Sequence, residues 1–377
     1  MSNMKAILVW YVVVGCLFSL FSFGFVDPNF SISTHPLALS ILNPLIHIVY
    51  KTPIIAATLY TLFVIIFFIL YALIIRIKTL LTLKTYWKFL LLLSIIFFLS
   101  YPSLSHDIFN YILSAKVAYF YRENPYLVMP TELLGEPMLG FTRAANKLAL
   151  YGPVWILATW IPYVLSFGNV LVALYTFKLL VITSYVTICI LIYKMTKDVR
   201  RVLFFACNPL VIIETFVSGH NDTFMMALVL YGIYLCRSNQ LFAQIAGWGF
   251  MTASVLVKGA TIVLLPLFVF FRTLSDEKLF FWASVCSFGV FLLTPLREEL
   301  YPWYAIWFLV FVSLLPMGKR SFIHGAAYML SFGLMLRYLP WIATREYGGT
   351  GPMIRLFVTW VPLACYSFWY KIFVNKR

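Results

Sequence analysis

Apolar runs as long as a bilayer crossing recur along this chain, and they restrict its fold more than any other feature. Ile7 to Phe25 carries no charged residue, and neither does Pro53 to Ile75. A membrane-spanning helix needs about 20 such residues. In hydrocarbon every backbone polar group must be bonded within the chain, so helices are expected and open sheet edges are not. Only 11% of the 377 residues are charged, against about 25% in soluble domains. That excludes a soluble enzyme on a single anchor. The expectation is an all-α polytopic membrane protein with about 12 transmembrane helices, in a range of about 10–13. Spans are placed at about 5–25, 52–76, 86–101, 169–193, 202–217, 223–237, 241–257, 259–271, 279–296, 303–317, 321–339 and 353–371. Lys5 precedes the first run and no small-residue cleavage pattern follows it, so it reads as a retained helix. No repeat or second soluble domain breaks the chain, and residues 1–377 read as one transmembrane domain. The six cysteines are scattered through apolar runs and are expected to be free thiols.

Charge sets the orientation. The net charge of +15 reads as a membrane-topology signal and not as a nucleic-acid footprint. With both termini cytoplasmic, most of the 28 basic residues fall inside: Lys5, Arg76, Lys78, Lys84, Lys88, Lys194, Lys197, Arg200, Arg201, Arg237, Arg272, Lys278, Lys319, Arg320, Lys371, Lys376 and Arg377. Counting 151–169 as a crossing would move Lys194 to Arg201 outside. That segment, punctuated by Gly152, Pro153, Pro162 and Gly168, therefore reads as re-entrant within a large outer loop, 102–169. All but Asp198, Asp276 and Glu277 of the 13 acids fall on or near the outer side. Acids contribute little to orientation, so their excess there suggests a polar working face.

Four polar clusters lie on that face. Tyr101 to Tyr126 holds His106, Asp107 and Tyr111, then Asn124-Pro125-Tyr126. Ser105 or Asp107 can cap an amphipathic helix from about Ile108 to Tyr121, with Tyr111 on the face of Asp107. A plain interhelical loop is the alternative. Gly219-His220-Asn221-Asp222, preceded by Asn208-Pro209 and Glu214, reads either as a hairpin turn capping the next helix or as ionisable groups facing a cavity. Lys258-Gly259 either snorkels to the interface or meets an anion in a broken helix pair. Arg297 with Tyr301-Pro302-Trp303-Tyr304 reads as an aromatic belt, or as rings for a sugar beside a guanidinium for a phosphate.

In this order, HDIFNY with Asp107 and Tyr111, Asn124-Pro125-Tyr126, Tyr151-Gly152-Pro153, Asn208-Pro209, Gly219 to Asp222, Lys258 and Tyr301 to Tyr304 resemble the GT-C superfamily of membrane glycosyltransferases. The resemblance is strongest to its polyprenyl-phosphate-mannose-dependent mannosyltransferases and spans about Tyr101 to Pro316. It implies transfer of a hexose, mannose in that family, from a polyprenyl-phosphate-linked donor to a glycan or glycolipid acceptor. The site would lie on the outer face of a prokaryotic plasma membrane. It implies Asp107 as the catalytic base, the acid that fits the family position in the first large outer loop. His106, Tyr111, Asn124, Tyr126, Tyr151, His220, Asn221, Asp222, Trp303 and Tyr304 become candidate substrate contacts, and Lys258 and Arg297 candidate contacts to the donor phosphate. Many relatives carry paired acids where this chain has His106-Asp107, so a divalent metal stays open and no other cofactor is implied.

The chemistry asks for a carboxylate within reach of an acceptor hydroxyl and cations facing the departing phosphate. One base opposite the leaving group gives inversion. A retaining route needs a second carboxylate, for which Glu214 and Asp222 are candidates. Two other classes stay open. A lipid-linked-sugar flippase would use intramembrane charge, and Lys178 fits it best. A non-catalytic envelope assembly protein would leave Asp107, His220 and Lys258 without a purpose.

Overall fold

The computed structural model describes residues 2–26, 35–76, 81–269, 274–318, 321–346 and 351–374. Lys78, Arg272, Lys319, Arg320, Lys376 and Arg377 of the charge pattern lie outside the described residues. The described residues are helical and contain no strand. The α-helices are α1 (Ser2–Ser22), α2 (Pro36–Val49), α3 (Pro53–Arg76), α4 (Leu83–Phe98), α5 (Asp107–Tyr119), α6 (Pro153–Leu165), α7 (Val170–Thr196), α8 (Val199–Ala206) and α9 (Pro209–Ile212). They continue as α10 (Asp222–Cys236), α11 (Leu241–Lys258), α12 (Leu265–Val269), α13 (Asp276–Leu293), α14 (Ile306–Ser313), α15 (Phe322–Leu336), α16 (Leu339–Thr344) and α17 (Gly351–Phe373). None of the six cysteines forms a disulfide.

Among the described residues, six helical stretches are long and apolar enough to cross a bilayer: Asn3–Phe25, Pro53–Arg76, Val170–Thr196, Leu241–Lys258, Asp276–Leu296 and Gly351–Phe373. The other expected spans are shorter or broken. Residues 202–217 form α8, then α9, then a π-turn over Ile213–Val217. Every residue from Val202 to Thr223 is buried, so this segment is the inside of the bundle and not a lipid-facing helix. The break falls at Asn208-Pro209, because proline cannot donate to the preceding turn. The freed groups find partners. Tyr11, Tyr71 and Tyr185 donate their hydroxyls to the carbonyls of Cys207, Phe204 and Ala206, at 2.7, 2.6 and 2.7 Å. Asn208 takes the amide of Leu210 and donates to Ser331. Phenols from α1, α3 and α7 thus satisfy a kink that would otherwise be prohibitive away from water. Residues 259–271 and 303–317 are likewise not single spans. A 3₁₀ turn over Ala260–Leu264 leads into α12, and one over Pro302–Ala305 leads into α14.

Lys178 of α7 is fully buried and donates to the carbonyls of Phe97 and Ser100 and to the Ser100 hydroxyl. Carbonyls at a helix C-terminus carry partial negative charge and lack intrahelical donors. Lys178 therefore caps α4 just before the chain turns toward Asp107, which accounts for it without a transport role. α7 has 27 residues and is about 40 Å long. At its basic end Lys194 lies over the ring of Tyr234, near the end of α10 away from Asp222.

Candidate active site

Asp107 opens α5. The helix starts one residue earlier than the sequence pattern suggests and ends at Tyr119. His106 occupies the cap position without a side-chain cap bond, and the Ser105 hydroxyl accepts the amide of Asp107 at 3.2 Å. Asp107 is therefore a first-turn residue whose carboxylate is not tied up in capping. Its Oδ1 accepts from Asn110 Nδ2 at 3.4 Å. Its Oδ2 faces His220 Nδ1 at 3.4 Å, and His220 Nε2 faces Glu214 Oε2 at 3.3 Å. Neither contact is aligned as a hydrogen bond, so the His220 link is electrostatic. Tyr338 anchors the far oxygen of Glu214 at 2.8 Å.

Gly219 makes the Asp107–His220 approach possible. It is left-handed, with φ +73°, and a β-carbon there would meet Ile108 Cδ1 of α5 at 2.7 Å. Only glycine adopts that conformation without cost. Gly152 does the same on the other side, where a β-carbon would lie 2.1 Å from the Leu256 carbonyl oxygen. Its amide donates to Val257 at 2.8 Å, which seats Tyr151 beside the end of α11.

That end carries Lys258, followed by left-handed Gly259, a common helix stop. Lys258 Nζ pairs with Asp222 Oδ2 at 2.9 Å and lies 4.9 Å above the Tyr304 ring. Trp307 Nε1 donates to the other Asp222 oxygen at 2.6 Å. Asp222 and Asn221 stand at the start of α10, yet Asn221 provides no side-chain cap. The Tyr111 hydroxyl instead donates to Asn221 Oδ1 and accepts the Asn221 amide, both at 3.3 Å. The hairpin-cap explanation of this turn therefore fails. Its polar groups face the Asp107 helix and Lys258.

The aromatic motif closes the site. Trp303 stacks on His220 at 3.9 Å between centroids and on Tyr301 at 4.4 Å, and Tyr304 stacks on Trp307 at 4.5 Å. Tyr111 packs edge-on against Tyr151 and Trp155. Trp303 is buried beside His220, the position of a packed ring and not of a lipid-facing belt.

The structure brings together Asp107, Tyr111, Tyr151, His220, Asn221, Asp222, Lys258, Trp303 and Tyr304. The other four candidates lie outside this cluster. Asn124 is exposed and accepts the Tyr126 amide at 3.0 Å, a local turn. The Tyr126 hydroxyl donates to the Tyr151 carbonyl at 2.8 Å. Arg297 is exposed, near enough to Tyr304 to act on it electrostatically. His106 faces Phe109 and lines a neighbouring cavity. Sequence reasoning missed Trp307, Tyr338 and Trp155. Trp307 lies one turn beyond Trp303 and so shares its face, whereas nothing local marks Tyr338.

Electrostatics favour a charged Asp107–His220 pair within the Asp107–His220–Glu214 triad. Burial pushes Asp107 up, but the contact with His220 and the charges of His220, Lys258 and His106 outweigh it and hold the carboxyl below its ordinary range. Burial pushes His220 down, and its contacts with Asp107 and Glu214 outweigh that, raising it. The three carboxylates differ in access. The side chain of Asp107 is 26% exposed, while those of Glu214 and Asp222 are fully buried and held by partners. Among the described residues no three His, Cys, Asp or Glu converge as metal ligands. His220 bridges Asp107 and Glu214 through opposite ring nitrogens, an arrangement that does not fit a shared divalent cation.

No curated protein and no solved structure matches the chain. Residues 14–273 match the MptA_B family, described as alpha-(1->6)-mannopyranosyltransferase, N-terminal domain. The match includes Asp107, His220, Asp222 and Lys258 and stops before Arg297, Trp303 and Tyr304, which rest on geometry. Covering more than half of the sequence, it shows that this membrane protein belongs to the alpha-(1->6)-mannopyranosyltransferase family, of GT-C type, and is a glycosyltransferase.

Proposed function

We propose that the protein moves a mannosyl unit from a polyprenyl-phosphate donor to a glycan or glycolipid acceptor at the outer face, by direct displacement with Asp107 as general base. The acceptor hydroxyl bonds to the anomeric carbon as its proton passes to Asp107. The bond to phosphate breaks, and the electron pair leaves with the lipid phosphate. The observation that carries this reading is access: of the three carboxylates, Asp107 alone reaches solvent. Glu214 and Asp222 are enclosed by their partners, which argues against either as a second, nucleophilic carboxylate. With an alpha-(1->6) product, inversion requires a beta-linked donor and a primary hydroxyl on the acceptor.

Buried donors support a polyol ligand. Among the described residues, Asn221 Nδ2 and Trp303 Nε1 are buried without an acceptor. Each such group costs about 1–3 kcal/mol unless satisfied, and sugar hydroxyls would satisfy them beside Asp107. Lys258 and Arg297 remain the proposed contacts to the departing phosphate, although Asp222 already offsets the Lys258 charge.

The test is to incubate purified protein in detergent with beta-linked and alpha-linked polyprenyl-phosphate mannose and a mannoside acceptor. The expected product, by mass spectrometry and NMR, is an alpha-(1->6) linkage formed from the beta donor alone. Transfer from the alpha donor would overturn inversion. Transport in sealed vesicles without turnover in detergent would favour a flippase.

The triad also predicts a pH signature. His220 is raised above 6.5, so its contribution to stability is complete below pH 6.5 and is lost as pH rises through its higher folded value. Asp107 is lowered from 3.8, so the wild-type acid limb of transfer lies below that value. His220→Gln removes the cation that holds Asp107 down. The acid limb should then move to higher pH, and the alkaline loss of stability should disappear. Identical rate and unfolding profiles for the two proteins from pH 3 to 9 would show that His220 does not act on Asp107.

A further inference from the structure

On the side of the 101–106 loop away from His220 lies a cavity of about 250 Å³. Its walls come from the turn after α1, the 101–106 segment after α4, the connection between α2 and α3, residues 140–143 of the large loop, and the end of α16. His106, the residue before Asp107, belongs to its lining, with Tyr101, Trp341, Ser103, Arg143 and Arg345. Two properties set it apart. First, it is positively charged. Among the described residues no carboxylate lies within ion-pair distance of Arg143 or Arg345. By contrast, Lys258 pairs with Asp222, and Arg337 and Arg355 share Glu299. Second, it holds buried donors without acceptors: the Ser103 hydroxyl, on a residue only 2% exposed, and Arg345 Nε.

Arg345 is held in place. One guanidinium nitrogen donates to the Val49 carbonyl at 2.8 Å, and the group lies 5.1 Å over Phe25 and 5.5 Å over Trp341. Rings that fix a guanidinium by cation–π contact leave its other edge for an anion. A rigid arginine, a second arginine and a serine hydroxyl around one cavity form the donor set of a phosphate site.

We propose that this cavity binds a phosphate ester carried by a lipid. The two spanning helices α1 and α4 end at its walls, so an acyl or prenyl chain can stay in the bilayer while its headgroup enters. On the transferase reading this cavity holds the donor's lipid phosphate before or after transfer, apart from Lys258 and Arg297 at the reacting bond, and His106 joins its lining to Asp107. The assignment of the phosphate to a donor rests on that reading, whereas binding of the lipid phosphate does not.

The test uses the purified full chain in detergent, with undecaprenyl phosphate as the probe and undecaprenol and inorganic phosphate as comparators. Undecaprenyl phosphate should bind and undecaprenol should not displace it. Arg345→Gln and Arg143→Gln should each weaken binding about ten- to a hundredfold. Arg143 is exposed, so its replacement does not endanger folding. Asp107→Asn should bind the lipid phosphate at wild-type affinity. Wild-type affinity in both arginine variants, or equal affinity for inorganic phosphate, would overturn the proposal. Binding through these arginines with no transfer to any acceptor would keep the cavity and discard the transferase reading. Loss of binding in Lys258→Ala alone would overturn the cavity and leave that reading intact.

Discussion

Asp107→Asn is expected to lower mannosyl transfer by about 10²- to 10⁴-fold, the usual contribution of a positioned general base. Asparagine keeps the shape of the side chain and its contact with Asn110 but takes no proton at neutral pH. The stability change should be small. Asp107 makes no cap bond, so the loss is chiefly its favourable interaction with the positive end of α5, about 0.3–1 kcal/mol, and its attraction to His220. Transfer rate and thermal unfolding of the same preparation separate the two effects. Turnover within a few-fold of wild type, in a protein that folds normally, would mean that Asp107 only orders the loop. The access argument would then have to be abandoned, since Glu214 and Asp222 are both enclosed.

Asp222→Ala is expected to cost about 3–5 kcal/mol of stability, because it leaves Lys258 in a mostly buried position without its counter-charge. Lys258 is 14% exposed and Asp222 is fully buried, so solvent screens the pair poorly. Trp307 Nε1 also loses its acceptor, which adds to the cost of the single variant. Lys258→Met should destabilise as well, by stranding Asp222. The double variant Asp222→Leu with Lys258→Met should recover much of the loss, since replacing both buried charges with apolar groups is often close to neutral. A double-mutant cycle in denaturant reads the coupling. Additive single losses would show that the pair is not coupled and that Lys258 is available to a substrate phosphate after all.

The comparison of Asp107 with Asp222 shows where local pattern stops being informative. In the sequence each is an aspartate near the start of an apolar helix, and each is equally suited to capping. In the structure neither residue's site is settled by capping. Asp107 faces a histidine and solvent, and Asp222 faces a lysine and an indole. The partners come from residues 36 to 113 positions away, a separation that no helical periodicity reports. Lys178 is the reverse case. Its position inside an apolar run suggests transport, and its contacts make it a helix cap for α4.

The apolar runs by themselves determined that the chain is helical and membrane-bound, because uncharged stretches of that length leave the backbone no other way to satisfy its hydrogen bonds. The motif order by itself pointed to the family and to Asp107. The number and continuity of the crossings were not legible. The segment from Val202 to Thr223 is as apolar as a span, and only the packed bundle, with three tyrosine hydroxyls on its broken turn, distinguishes an internal segment from a lipid-facing one. Tertiary structure alone decided which carboxylate is accessible, which cation is already paired, and that Arg345 and Arg143 meet at one cavity. These are properties of burial and of distance between residues remote in the chain, and they come into existence only when the helices pack.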